Sequence, residues 1–209
     1  MTKNISLTQI ILAGGFMCLL TMAGCITQTN VRNESNVNDS ASANKPLPSP
    51  SATSSTASQT DGVNDVADGD GRKPPTKLDG IDLTGVELEM TDSSLKVIFE
   101  ANDSIPTSIP TGSSALWQVK AWSKDKTQGY YLGAKLIGSD WYVFVFNLKT
   151  VTNVYVENPS VSGKKLVASF PLNQLPNLGP SFTWSATTEY DGKWRDEIPT
   201  EGEVSFPAS

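Results

Sequence analysis

Three carboxylates near the C-terminus have types and spacing that could support acid–base chemistry. Asp191, Asp196 and Glu197 fall within a stretch of seven residues. Two carboxyl groups held roughly 5–9.5 Å apart can hydrolyse a glycosidic bond when one of them has a raised pKa. Asp191-Gly192 is also a dipeptide that favours a two-residue hairpin turn. We interpret the region as a turn, and we predict no catalytic residues and no enzyme activity. A carboxylate-dependent hydrolase is kept as the third hypothesis.

A second acidic set could supply oxygen ligands to a cation. It consists of Asp61, Asp65, Asp68 and Asp70, in a stretch that also contains glycine. Calcium takes carboxylate and carbonyl oxygens, but the twelfth position counted from Asp61 lacks the glutamate of an EF-hand loop. We interpret these residues as the solvated end of a linker, and we predict no metal and no cofactor.

The composition excludes several other chemistries. The chain has no histidine and two cysteines, Cys18 and Cys25, both close to the N-terminus. The remainder of the chain therefore offers no Ser-His-Asp arrangement, no thiol nucleophile and no cysteine-containing zinc site. The net charge is −6. Because the cations are scattered rather than clustered, we expect no nucleic-acid partner.

The aromatic residues indicate where a fold and a binding surface lie. All five tryptophans and all five tyrosines occur between Trp117 and Trp194. Strand alternation places Trp117 and Trp122 on opposite faces, and it separates the rings of Tyr130 and Tyr131. An aromatic ring on an exposed face could bind a sugar or a protein partner. We predict Trp122, Trp194 and Tyr131 as ligand-binding residues, and we assign to the core Trp141, Phe144 and Trp184.

An alternation of period two runs through the second half of the chain. Val86, Leu88 and Met90 point to one side while the glutamates between them point to the other, as in a half-buried strand. Similar patterns predict strands at 95–100, 115–123, 130–137, 141–148, 152–157, 165–170, 182–190 and 203–206. We expect 141–148 to be buried on both faces and 171–178 to hold one helical turn. The fold class predicted for residues 78–209 is mainly β: a single antiparallel β-sandwich.

The N-terminal segment carries the signals of export. Lys3 precedes an apolar run that ends in Met22-Ala23-Gly24-Cys25. This resembles the lipobox of bacterial lipoproteins, and the resemblance implies cleavage before Cys25 and lipidation of that cysteine. The apolar run is shorter than the roughly 20 residues of a membrane span and fits a cleavable signal helix. We therefore predict a signal peptide at 1–24 and a product anchored in a membrane outside the cytoplasm, at the cell surface or the outer membrane.

Residues 25–77 are rich in Ser, Thr, Asn, Asp, Ala and Pro and contain no aromatic residue. Such a segment buries too little apolar surface to offset the loss of chain entropy on folding. We predict that it is a disordered linker between the anchor and the sandwich.

Short motifs within the sandwich resemble DOMON-like domains and the related family-nine carbohydrate-binding modules. They are Leu-Asp-Gly-Ile-Asp-Leu-Thr-Gly-Val at 78–86, Ser-Leu-Lys-Val-Ile-Phe at 94–99, Phe-Thr-Trp-Ser-Ala at 182–186 and Asp-Glu-Ile-Pro at 196–199. The resemblance implies a sandwich that binds sugars or haem, in some members with a structural cation near an acidic opening segment. The haem-binding branch uses histidine and methionine ligands, and this chain has no histidine.

These observations favour a surface-anchored, non-catalytic lipoprotein whose β-sandwich binds a glycan or another envelope component. The alternative is a structural or assembly lipoprotein that contacts an envelope protein complex. The expected partners are the membrane, through the lipid anchor, and a glycan or an envelope protein.

Overall fold

The structure is a computed structural model, and it describes residues 54–63, 65–66 and 79–207. The predicted signal peptide at 1–24, the predicted lipidation site Cys25 and most of the predicted linker lie outside the described residues. Asp68 and Asp70 lie outside them as well.

The described residues form two antiparallel sheets, which confirms the prediction of a mainly β, sandwich-like fold. The strands are β1 (Ser55–Thr60), β2 (Leu83–Met90), β3 (Ser94–Ala101), β4 (Ser114–Ser123), β5 (Gly129–Ile137), β6 (Asp140–Asn147), β7 (Thr152–Tyr155), β8 (Ser160–Ser162), β9 (Lys165–Pro171), β10 (Phe182–Tyr190), β11 (Lys193–Ile198) and β12 (Val204–Phe206). A single 3₁₀ turn, Leu172–Gln174, follows β9.

Sheet order determines which residues become neighbours. The five-stranded sheet has the order β1-β2-β3-β9-β8. The seven-stranded sheet has the order β11-β10-β4-β5-β6-β7, and β12 pairs with β10 beyond the end of β11. Strand β10 therefore lies between β4 and the C-terminal strands, although a long stretch of chain separates it from β4.

Alternation along each strand supplies the core. On β4 the inward side chains are all buried, and they are Ala115, Trp117, Val119 and Ala121. On β3 the buried set is Leu95, Val97, Phe99 and Ala101. The two sheets bury these inner faces against each other, and this removal of apolar surface from water is the main term that stabilises a fold without disulfides.

Hydrogen bonds attach the segment before β2 to the seven-stranded sheet. The indole Nε1 of Trp117 donates to the carbonyl of Gly80 at 2.8 Å. The hydroxyl of Thr188 donates to the carbonyl of Ile81 at 2.9 Å. Both donor side chains are fully buried. These bonds satisfy carbonyl groups that burial would otherwise leave without a partner.

Strand β1 corrects the prediction of a disordered linker through residue 77. Residues 55–60 pair with β2 along their whole length, and the side chain of Ala57 is buried in the core. The prediction failed because an edge strand is held by its backbone hydrogen bonds, and these require no apolar side chains.

Strand β6 corrects a second prediction, that 141–148 is buried on both faces. Val143 and Val145 are buried, whereas Phe144 and Phe146 lie half-buried on the opposite side. Phe144 is therefore not a core residue as predicted; its ring lies over Gly133, where a Cβ atom would overlap it. An aromatic ring can cover a glycine on an outer sheet face because that residue has no side chain of its own.

The other two rings assigned to the core do pack inward. Trp184 is completely buried, and Trp141 is half-buried with its ring centroid 5.6 Å from that of Trp117. Tilted ring pairs at this distance contribute a favourable aromatic contact.

Candidate functional site

The outer face of the seven-stranded sheet carries a mixture of aromatic and polar side chains. Trp117 points inward, so strand alternation turns Gln118, Lys120 and Trp122 outward, where all three are half-buried. Tyr131 lies directly across from Lys120 on β5, and Ser185 lies across from it on β10. The middle of this face is therefore built from strands that are distant in sequence.

A groove of about 350 Å³ lies on this face, and we call it the outer groove. Its lining residues are Gln118, Lys120, Tyr131, Ser185, Thr187, Glu189, Trp194, Glu197, Gly202 and Glu203. Trp194 is 40% exposed, and Tyr131 is half-buried. Two aromatic rings thus share one concave surface with hydroxyl, amide, amine and carboxylate groups.

The three predicted ligand-binding residues all lie on this sheet, but they do not all line the groove. Tyr131 and Trp194 do so. Trp122 lies beside it: a Cβ atom on Gly129 would come within 2.5 Å of its ring, and the Lys120 Nζ lies 5.3 Å from its ring centroid. Trp122 therefore supports the lysine that enters the groove through a cation–π contact.

Two polar side chains of the groove differ in how they are held. The Nε2 of Gln118 donates to the hydroxyl of Thr187 at 3.2 Å, which fixes the orientation of the amide. Ser185 is only 7% exposed, and its hydroxyl has no hydrogen-bond partner among the described residues. This hydroxyl lies in the lining of the groove, where it can bond a ligand.

The carboxylates of the groove have different environments. Burial raises the pKa of Glu197, and the positive charge of Lys120 opposes that shift. Burial alone would raise the pKa of Glu203. Hydrogen bonds from Lys126 and Thr183 and the positive charge of nearby lysines have the larger effect, so the pKa of Glu203 is lowered. Glu203 therefore forms an ion pair with Lys126. Glu197 is half-buried and forms no ion pair among the described residues, although the charge of Lys120 acts on it.

More aromatic rings continue across the sheet beyond the groove. The rings of Tyr131 and Phe146 are stacked, with centroids 6.4 Å apart. Tyr142 and Tyr155 meet edge to face at 6.2 Å, and both are exposed. Sequence reasoning missed this extension because it assigned residues 141–148 to a strand buried on both faces.

The three C-terminal carboxylates considered for catalysis are separated in the structure. Asp191 lies in the turn between β10 and β11, where its Oδ1 accepts a hydrogen bond from the backbone N–H of Ser114 at 2.8 Å. Asp196 is buried and accepts a hydrogen bond from the backbone N–H of Leu83 at 2.7 Å. Glu197 lies on the opposite side of β11 and faces the outer groove. The three do not share one site.

Asp196 instead belongs to an acidic group with two residues of the N-terminal part. Asp61, Asp65 and Asp196 each place one carboxylate oxygen within 4.8 Å of the others. Burial raises the pKa of Asp196 to about 7, and the negative charges of Asp65 and Asp61 add to the shift, against hydrogen bonds from backbone N–H groups. Such a group takes up a proton near neutral pH, and its oxygens are of the type that also coordinates divalent cations.

The position of the groove could be inferred only in part from the sequence. Alternation on β4 puts Gln118 and Lys120 on the same face as Trp122. The sequence does not indicate that the glutamates and hydroxyl residues of β10 and β11 lie in the same groove, because their position there depends on the pairing of strands that are distant in sequence.

Comparison with known protein families, curated proteins and solved structures finds no match for this chain. Among residues 54–63, 65–66 and 79–207, no helix has the length and apolar character needed to cross a membrane.

Proposed function

We propose that this chain is a non-catalytic lipoprotein, anchored outside the cytoplasm, whose sandwich binds a glycan in the outer groove. The lipidated residue is Cys25, which follows Met22-Ala23-Gly24 in the pattern of a lipobox. The membrane anchor and the glycan are its two partners.

The observation that carries the glycan proposal is that Trp194 and Tyr131 line one groove together with hydroxyl, amide and carboxylate groups. The C–H face of a sugar ring packs well on an aromatic ring, whose surface is apolar and partly negative. Sugar hydroxyls need donors and acceptors around that ring, and Gln118, Ser185 and Glu189 provide them.

Binding of the full chain to a panel of polysaccharides, measured by affinity electrophoresis and calorimetry, tests the proposal. We expect Trp194→Ala and Tyr131→Ala to reduce binding at least about tenfold, because each removes a ring that a sugar would contact. Tyr155→Ala is the matched control, since this exposed ring lies outside the groove. Binding that is absent, or equal in all three variants, would contradict the proposal.

The anchor is tested separately. Cells labelled with a fatty acid should incorporate the label into the wild-type chain and not into Cys25→Ser, which should leave the membrane fraction. Label in both forms, or none in either, would contradict lipidation at Cys25.

A second candidate function is assembly with an envelope protein complex, and strand β7 favours it. All four residues of β7 are exposed, it is an edge strand, and the neighbouring Val151 is 73% exposed. An exposed edge can pair with a strand of another protein. Crosslinking from position 153 in intact cells should then give one dominant protein adduct, whereas glycan binding predicts none.

A further inference from the structure

We propose that the outer groove selects glycans with free amino groups, meaning amino-sugar polymers whose nitrogen is not acetylated. This inference rests on the proposed glycan-binding function and adds the chemical class of the ligand. It follows from the charge of the groove, the placement of its carboxylates beside Trp194, and the hydroxyl of a largely buried serine that is open to the groove and has no hydrogen-bond partner among the described residues.

The lining of the groove is acidic. It contains three glutamates and a single cation, Lys120. Glu203 is engaged in a salt bridge with Lys126. The carboxylates of Glu189 and Glu197 have neither a hydrogen bond nor an ion pair within 4.0 Å among the described residues. Two carboxylates of the groove therefore lack a direct ion pair, although the charge of Lys120 acts on Glu197.

Strand register places these two carboxylates around the exposed tryptophan. Glu189 lies directly across from Trp194, and Glu197 follows farther along β11, across from Thr187. Side chains in directly opposed positions of an antiparallel pair have Cβ atoms about 4.5–5.5 Å apart. A sugar ring stacked on Trp194 would thus present its substituents to Glu189 on one side and to Glu197 on the other. An ammonium substituent would gain charge-assisted hydrogen bonds there, and it is also attracted to the indole face.

Ser185 offers a polar ligand a hydroxyl within the lining of the groove. Its side chain is more than nine-tenths buried, lines the groove, and has no hydrogen-bond partner among the described residues. The nearby Gln118 amide is already oriented by Thr187. A hydroxyl or amine of the ligand could therefore form a hydrogen bond with the Ser185 hydroxyl.

Other glycan classes fit this charge less well. A polyanionic glycan would meet Glu189 and Glu197, and like charges at such distances repel. A neutral glycan would partly desolvate Glu197 without compensating its charge. Hydroxyls of a neutral sugar can donate hydrogen bonds to both carboxylates, but only a cationic sugar also neutralises their charge.

The test compares three probes of equal length on the full chain in neutral detergent at pH 6: oligomers of glucosamine, of N-acetylglucosamine and of glucose. We expect the glucosamine oligomer to bind at least about tenfold more tightly than either of the others, and its affinity to fall with added salt. Glu189→Gln and Glu197→Gln should each remove most of that preference. Glu201→Gln, an exposed charge outside the groove, is the matched control and should keep it.

The outcomes separate this inference from the function on which it rests. If no polysaccharide of any class binds, the proposed function itself fails. If neutral or acetylated oligomers bind as tightly as glucosamine oligomers, and Trp194→Ala still abolishes binding, the function stands and the amino-sugar inference is wrong. A preference for glucosamine that both glutamine variants retain also overturns the inference, because it would then be non-specific attraction to an acidic protein.

Discussion

Replacing Asp65 with asparagine should stabilise the folded domain at pH 8 and leave its stability nearly unchanged at pH 5. Asp65 is exposed, and its charge is one of the causes that raise the pKa of Asp196 to about 7, after burial itself. At pH 5 Asp196 is protonated in the folded state, so a neighbouring negative charge costs little. At pH 8 Asp196 is ionised, and the two carboxylates repel each other.

The sign of the pH dependence follows from the pKa of Asp196 in the two states. The folded-state pKa of about 7 lies above the ordinary value of 3.8. The folded state therefore binds the proton more tightly, and stability decreases as pH rises from 3.8 to about 7. At 1.36 kcal/mol per pH unit, the whole interval corresponds to a loss of about 4 kcal/mol. Glu197 acts in the same direction, because its pKa is raised as well.

The share that Asp65 contributes can be calculated from geometry. Its carboxylate oxygen lies within 4.8 Å of an oxygen of Asp196. At that distance, in the high dielectric expected for an exposed group, two unit charges repel by about 1 kcal/mol. For a domain of this size, that corresponds to an increase in Tm of roughly 4 °C at pH 8.

Thermal unfolding at pH 5 and pH 8, with a chelator present throughout, measures the effect. The chelator is needed because a divalent cation at these oxygens would replace the proton. The chain has no histidine, so few other groups titrate in this interval. Glu201→Gln, which removes an exposed charge elsewhere, should change Tm little at either pH. The reasoning is refuted if Asp65→Asn shifts Tm equally at both pH values, or if the wild-type protein gains stability between pH 5 and pH 8.

Three further predictions concern packing. Trp117→Phe should lower the free energy of unfolding in urea by about 1–3 kcal/mol, because it leaves a buried backbone carbonyl without its donor; unchanged stability would contradict the role of this bond. Gly129→Ala should lower the free energy of unfolding by about 1–3 kcal/mol, because the new Cβ would lie 2.5 Å from the ring of Trp122. The loss should be smaller when Gly129→Ala is combined with Trp122→Ala, which removes that ring. Ala57→Asp should lower the free energy of unfolding by about 2–3 kcal/mol, because the side chain at this position is buried. Ser58→Asp should change that free energy little, because Ser58 is exposed on the same strand. Equal losses in the two variants would contradict the packing of β1 against the core.

Local patterns in the sequence predicted most of the strands and their inward faces. The alternation of β4 correctly placed Trp117 and Trp122 on opposite faces, of which Trp117 is buried. The dipeptide Asp191-Gly192 correctly predicted the hairpin turn, and both residues have the positive φ values, 54° and 70°, that a two-residue turn of this kind requires. These features were readable because backbone geometry alone fixes which way successive side chains point and which residues tolerate a positive φ.

The sequence also predicted two residues of the outer groove, Tyr131 and Trp194, but not what surrounds them. Glu189 and Ser185 reach the groove only because β10 lies between β4 and β11. Strand β1 was missed because its pairing depends on backbone bonds to β2 rather than on its own apolar content.

The sequence by itself determined the two-residue period, the inward and outward faces of each strand, and the lack of imidazole chemistry. Only the tertiary structure decided which distant strands became neighbours. That pairing brought Asp61 and Asp65 to Asp196, and it placed the glutamates of β10 and β11 beside the tryptophan of the groove. The physical reason is that side-chain direction is set by the local backbone, whereas strand order is set by burial and hydrogen bonding summed over the whole domain.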